Sequence, residues 1–186
     1  MTRVVVTGSE GLIGKEVSAC LSKNHEVLRL DLVLGHDLED EEFVKKWFDD
    51  NPSDYLVNAF GLNDHVTSGR SNETLFDISL ESFDDYMSIN LRALFSVCRE
   101  FARKSKGGGI VNFSATTGVV SARPDFYDGG HKHIGYCVSK AGVVQLSRYL
   151  AVHLAPNIRV NCLIPGGAQH EQSTEFLEKY SRHTPM

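Results

Sequence analysis

Five short apolar runs, each rich in β-branched residues and separated from the next by helical periodicity, constrain this fold more than any other feature of the chain. They are RVVVTG (3–8), EVLRLDL (26–32), DYLVNAFG (54–61), GIVNFSA (109–115) and IRVNCLIPG (158–166). Between them, apolar residues recur at helical spacing in GKEVSACLSKN (14–24), in DLEDEEFVKKWFDDN (37–51), from about 80 to 104, and from about 136 to 154. Parallel strands need crossover connections, and helices are the usual crossovers. The alternation therefore predicts an α/β fold, a doubly wound parallel sheet in a three-layer α/β/α arrangement. At 186 residues, 41% hydrophobic and 23% charged, the chain fits one domain spanning 1–186. Two loops break the rhythm, 61–77 and 118–135, and both follow strand carboxyl ends, where ligands bind in such sheets.

A formal net charge of −5 gives no general electrostatic reason to expect nucleic acid or an anionic membrane, so the expected partner is a small molecule. The start, MTRVVVTGSEG, enters a strand without a basic-then-apolar leader, and no window approaches the ~18 uninterrupted apolar residues of a membrane span. The expectation is a soluble cytoplasmic protein. Cys20, Cys98, Cys137 and Cys162 have apolar neighbours and no C-x-x-C spacing, and they read as buried, reduced thiols. His131 and His133 lack a convincing third ligand and read as loop residues, so no metal is expected.

Thr7-Gly8-Ser9-Glu10-Gly11-Leu12-Ile13-Gly14 joins the first strand to the first helix. Glycines there permit a tight turn, close approach of backbone N–H groups to a pyrophosphate, and close packing of helix on strand. The helix N-terminus then stabilises the anion. Asp31, at the end of the second strand, has the placement to accept hydrogen bonds from an adenosine ribose diol, and its charge repels a 2′-phosphate. NAD is therefore preferred over NADP. Glu10 adds negative charge to the turn, no arginine follows Asp31 directly, and Arg29 reads as a solvent-facing strand residue.

With the glycine turn, VNAFG (57–61), Asn90, Y-x-x-x-K (136–140) and IRVNCLIPGG (158–167) in this order, the chain resembles the short-chain dehydrogenase/reductase family from Arg3 to about Gly167. The turn departs from the commonest family pattern, which has glycine where Leu12 stands. The long loop before Tyr136 and the ending EFLEKYSRHTPM resemble members linked to bacterial surface-glycan and flagellin sugar modification. The resemblance implies a Rossmann-type sheet lacking the last family strand, with 168–186 on the substrate side. It implies Tyr136 as general acid/base and Lys140, one helical turn on, as the cation that lowers the phenol pKa and binds the nicotinamide ribose. Asn90 matches the asparagine of a proton relay. Gly8, Gly11, Leu12, Ile13 and Gly14 fall at the pyrophosphate. Asn58, Ala59 and Gly61 match a strand end beside the adenine, with Phe60 replacing the usual alanine. Asp37 and Leu38 match the pair flanking that ring, although Asp37 is equally placed to cap the next helix. Pro165 and Gly166 match the turn near the nicotinamide. Pairing of helices between subunits, through stripes including Leu91, Leu94, Phe95, Val144, Leu146 and Leu150, implies a homo-oligomer, dimer or tetramer.

The family serine stands three residues before a glycine, and counting back from Gly118 gives Ala115. Ser114 falls one position earlier, where strand alternation points a side chain the opposite way. Three readings stay open: a bulge swings Ser114 into the site, Thr116 or Thr117 supplies the hydroxyl, or the position is empty. Two functions follow, an NAD-dependent oxidoreductase acting on a secondary alcohol or carbonyl of a small polar or sugar-derived substrate, and a nucleotide-binding relative with little turnover.

Overall fold

Strands β1 (Arg3–Thr7), β2 (Glu26–Leu30), β3 (Tyr55–Asn58), β4 (Gly108–Phe113) and β5 (Ile158–Leu163) pair in parallel in the order β2-β1-β3-β4-β5. The computed structural model describes residues 1–63, 74–127, 131–170 and 172–184, so most of the loop expected after β3 lies outside the described residues. Helix α1 (Leu12–Leu21) packs on β1 and β2. On the opposite face lie α2 (Glu41–Asp50), α3 (Leu80–Met87), α4 (Leu94–Lys104) and α5 (Ile134–His153), and α6 (Thr174–His183) follows β5. Among the described residues no strand follows β5, which forms one edge of the sheet.

The β-branched runs form strands because their side chains pack on both faces. Val5, Leu56 and Ile110, one from each central strand, have no exposed surface and meet Val97 and Phe101 of α4 and Val143 of α5. Burying each such side chain contributes about 2 kcal/mol. A polar ladder crosses the carboxyl ends of the same strands. Thr7 Oγ1 donates to Asn58 Oδ1 (2.9 Å), Asn58 Nδ2 to Asn112 Oδ1 (2.8 Å), and Asn112 Nδ2 to Ser147 Oγ on α5 (2.9 Å). Each buried polar group thereby has a partner, and the sheet's upper end is registered against α5.

Helix starts follow local capping. Asp40 accepts from Glu42 N–H (3.0 Å) and Phe43 N–H (3.1 Å), so α2 begins at Glu41 and Asp37 stays outside it. The helical stretch expected from about 80 to 104 is observed over Leu80–Lys104, as α3, a wide π turn over Ser88–Ala93, and α4 in unbroken succession. Such turns insert one extra residue and recur at functional sites. Here the turn holds Asn90, which is almost fully buried.

Two expectations are corrected. Leu94, Val144 and Leu150 are buried in the monomer and do not form an outward stripe, which is carried by Leu91, Phe95, Leu146 and Tyr149 around a surface groove of about 830 Å³. Of the cysteines only Cys98 is fully buried; Cys137 and Cys162 are half-buried and Cys20, on the outer face of α1, is exposed.

Candidate functional site

Gly8 has a left-handed backbone (φ 67°), and a Cβ there would lie 2.6 Å from the Phe60 backbone nitrogen. A Cβ on Gly14 would lie 1.9 Å from the Gly8 carbonyl oxygen. Only glycine allows this approach of turn, helix and β3 end. Helix α1 starts at Leu12 with no side-chain cap, two residues earlier than its apolar spacing predicts. The amides of its first turn are therefore left for an anion, and Gly11, Leu12 and Ile13 line the cleft beside them.

Beyond the turn lies a cavity of about 620 Å³, whose lining includes Asp31, Val33, His36, Asp37 and Leu38. Asp31 is held by two amides, Glu10 N–H on Oδ2 (2.9 Å) and Val33 N–H on Oδ1 (3.1 Å). His36 accepts from Asp31 N–H (3.3 Å) and stacks on Phe43. Val33, on the short 3-10 turn Leu32–Leu34, and His36, just past its Gly35 cap, carry no periodic signal in the sequence. Asn58, expected beside the adenine, is taken up by the polar ladder, and it is Ala59 and Gly61 that line the cavity.

Gly11, Ala59, Phe60 and Gly61 also line a second cavity, of about 500 Å³, which makes one continuous groove. Tyr136 and Lys140 face it from α5. That helix is capped by His133, whose Nδ1 accepts from Gly135 N–H (3.0 Å) while Nε2 meets Ser82 Oγ (3.0 Å) and the ring stacks on Tyr86. His133 is thus a loop residue, as expected, and a buried one that caps the helix. Lys140 Nζ donates to the Phe113 carbonyl (3.0 Å) and lies 5.8 Å from the Tyr136 ring centre. Asn90 Oδ1 accepts from Leu62 N–H (2.6 Å), and its Nδ2 donates to Leu62 O (3.1 Å) and Ser139 Oγ (3.1 Å). Gly61 brings these together, since a Cβ there would lie 3.0 Å from Asn90 Oδ1 and 3.2 Å from Lys140 Nζ.

Burial pushes the Lys140 ammonium down to about 8. Burial, with smaller contributions from Cys137 and Tyr127, pushes the Tyr136 phenol up to about 12, opposite to the lowering expected from Lys140 alone.

The strand end shows no bulge. Ser114 N–H pairs with Leu163 O (2.8 Å) and Thr116 N–H with Pro165 O (3.3 Å), continuing the β4–β5 ladder. Ser114 accordingly points with Asn112 toward α5 and donates to the Lys140 carbonyl (2.7 Å). Ser114, Ala115, Thr116 and Thr117 all line the cleft. Thr117 Oγ1 is buried without a partner of hydrogen-bonding geometry; it lies near the Cys137 thiol, which burial pushes up and Thr117 offsets only in part.

Pro165 and Gly166 border the same cleft, and the Tyr180 hydroxyl of α6 accepts from Gly167 N–H (2.7 Å). Tyr127, Phe176 and Tyr180 form an aromatic wall, and Lys132 Nζ sits 4.2 Å over the Tyr136 ring. These come from loops and a terminal helix, where no spacing marks them in the sequence.

A family model described as enoyl-(acyl carrier protein) reductase matches residues 3–185. The chain belongs to the short-chain dehydrogenase/reductase family. Within it, the chain is 26% identical to a 3-oxoacyl-(acyl-carrier-protein) reductase of Aquifex aeolicus over 98% of its own length and 72% of that protein's. It is 37% identical to a probable galactose dehydrogenase of Rhizobium meliloti over 50% of this chain and 35% of the relative. A crystal structure of a short-chain dehydrogenase from Leptospira borgpetersenii with bound NAD+ superposes with a TM-score of 0.84 at 27% identity, covering 99% of this chain and 78% of that one. One from Burkholderia cenocepacia in complex with NADP has the same fold, with a TM-score of 0.75 at 20% identity, covering 100% of this chain and 76% of that one. The short-chain dehydrogenase/reductase assignment accounts for the parallel sheet, the glycine turn and the Tyr136–Lys140 pair in one groove.

Proposed function

We propose that this chain is an NAD-linked oxidoreductase that interconverts a secondary alcohol and a carbonyl on a small, hydroxylated, sugar-like substrate. The observation that carries the reading is that Tyr136 and Lys140 line a cleft sharing Gly11, Ala59, Phe60 and Gly61 with the glycine-turn cavity, with Asn90 buried beside Lys140 at Gly61. Gly8 and Gly14, whose missing Cβ atoms leave room for a backbone cradle, fit a pyrophosphate there, and Asp31 fits the ribose. NAD, when bound, supplies the hydride acceptor.

Tyr136 Oη exchanges a proton with the substrate oxygen. Lys140, cationic below about pH 8, stabilises the phenolate from the same helix face. Asn90 anchors the Leu62 backbone next to Lys140. Tyr127, Phe176 and Tyr180 offer flat faces to the C–H side of a sugar ring and exclude water. The kinship with a galactose dehydrogenase over half the chain supports that substrate class. A homo-oligomer in the cytoplasm completes the reading; among the described residues no helix is long and apolar enough to cross a membrane.

A second reading, nucleotide binding with little turnover, is favoured by one observation: of the two neighbours Ser114 and Ala115 in the cleft lining, Ser114 gives its hydroxyl hydrogen to the Lys140 carbonyl and Ala115 has no hydroxyl. Fluorescence titration with NADH and NADPH, followed by a panel of sugars and polyols, tests the proposal. Tighter binding of NADH and turnover of a secondary alcohol are expected. Tighter binding of NADPH, or no turnover on any secondary alcohol, refutes it.

A further inference from the structure

The two halves of the groove differ in charge. Among the described residues, the lining of the glycine-turn cavity holds four carboxylates, Glu10, Asp31, Asp37 and Glu39, against one cation, Lys15. Around Tyr136 the described lining holds Lys132, Lys140 and His170 and no aspartate or glutamate. Acids outnumber lysine and arginine in the whole chain by 24 to 19, so composition does not account for that lining. Lys140 belongs to the Tyr136 pair and donates to the Phe113 carbonyl. Lys132 is a cation that the proposed reaction does not use.

Lys132 is half-buried and stands on an anchored backbone. The next residue, His133, is the buried cap of α5, held by Ser82 and stacked on Tyr86. The Lys132 ammonium donates to Asn63 Oδ1 beyond β3 and lies 4.2 Å over the Tyr136 ring centre, closer than Lys140 Nζ at 5.8 Å. An ammonium has three donors, so a bond to Asn63 is compatible with one to an oxyanion. Tyr127, Phe176 and Tyr180 wall the same cleft, where a charge stripped of water is costly unless it is paired. A neutral substrate desolvates Lys132 without pairing it, whereas an acidic substrate brings the counter-ion. We propose that the substrate carries an acidic group, a carboxylate or a phosphate, which Lys132 binds a few atoms from the reacting C–O bond. The inference rests on the oxidoreductase reading of this cleft and narrows its substrate class from a sugar to a sugar acid or sugar phosphate.

The experiment measures kcat/KM on matched substrates that differ in one group: xylitol against xylonate, and galactose against galacturonate and galactose 6-phosphate. Wild type, Lys132→Met and Lys132→Arg are compared, with circular dichroism to check each fold and NADH titration to follow cofactor affinity. In the wild type an acidic member exceeds its neutral counterpart by about tenfold or more, the scale of one charge pair at a partly exposed site, and the carboxylate and phosphate arms tell the two groups apart. In Lys132→Met the acid-to-neutral ratio falls by about tenfold, and Lys132→Arg, which keeps the charge, retains most of it. A role in folding alone slows both members alike and leaves the ratio unchanged, which overturns the inference. A wild type that prefers the neutral members overturns it too, as does a loss in Lys132→Met matched by an equal loss of NADH affinity, which would assign Lys132 to the cofactor. In these three cases the oxidoreductase reading stands. Turnover of no member of the set overturns that reading, and the inference with it.

Discussion

Ser114 donates its hydroxyl hydrogen to the backbone carbonyl of Lys140 across 2.7 Å, tying the end of β4 to the helix that carries the proposed acid/base. Because Ser114 N–H also pairs with Leu163 O, the serine is fixed at both its backbone and its side chain. Ser114→Ala should lower stability by about 1 kcal/mol, the net value of one buried hydrogen bond. Its turnover should stay within about tenfold of the wild type. Tyr136→Phe should remove at least ~10² of the rate while leaving NAD affinity nearly unchanged, since the phenol faces the substrate and not the adenosine end. Urea unfolding and steady-state rates check both. A Ser114→Ala loss equal to that of Tyr136→Phe would mean that Ser114 reaches the substrate after all.

Ala115 marks the complementary test. It lines the cleft with an extended backbone (φ −151°, ψ 158°) that any residue adopts, so a serine fits there without strain. Ala115→Ser adds a donor where negative charge develops on the substrate oxygen, and removing one such donor elsewhere typically costs ~10²–10³ in rate. A rise of about tenfold or more in turnover is expected. No activity in either form would favour the nucleotide-binding reading.

Lys140 links the site to folding. Its ammonium titrates at about 8 in the fold and at 10.5 as the ordinary value, because burial disfavours the charge. Below about pH 8 both states hold the proton and the folded state bears the full desolvation cost. From about 8 to 10.5 the unfolded chain binds more protons than the folded one, so this group makes stability rise with pH. Tyr136 acts in the other direction: pushed up to about 12 from 10.0, it stays protonated where the unfolded chain ionises, and stability falls across that window. Lys140→Met should therefore exceed the wild type in stability near neutral pH by on the order of 2 kcal/mol, after loss of the bond to Phe113 O. The advantage should shrink as pH approaches 10. Urea unfolding across the pH range measures it, and an advantage that grows with pH would reverse the assignment.

The parts of the site legible in the sequence are those dictated by local backbone chemistry. Gly8 and Gly14 are demanded by close approaches inside one strand–turn–helix unit, and Tyr136 and Lys140 by one helical turn, so each shows as a spacing. What escaped depends on partners distant in sequence. Asn58 looks like a strand-end ligand residue until its pairing with Thr7 and Asn112 places it in the ladder. The helical stretch through Asn90 was legible, but its π turn leaves the apolar spacing nearly intact and so gives no signal of its own. His133 is not a usual capping residue type, and its role rests on Ser82 and Tyr86, about fifty residues before it. The raised phenol of Tyr136 depends on burial, which motif spacing does not report.

Assembly gives the last prediction. Leu91, Phe95, Leu146 and Tyr149 line the groove of about 830 Å³ across α4 and α5, and Phe95 and Tyr149 are 42% and 54% exposed. Gly142 lets α5 approach Leu91, where a Cβ would lie 2.8 Å from Leu91 Cδ2. Asp84 and Arg92, also in the lining, supply opposite charges around an apolar centre. A second copy related by a two-fold axis would match that pattern with itself, apolar centre to apolar centre. Sedimentation at micromolar concentration should show at least a dimer. Phe95→Glu should shift it to monomer by placing a charge at the centre of the buried patch, and Phe95→Leu, which keeps the patch apolar, should not. A wild type that sediments only as a monomer would leave this face without a second copy and would refute the prediction.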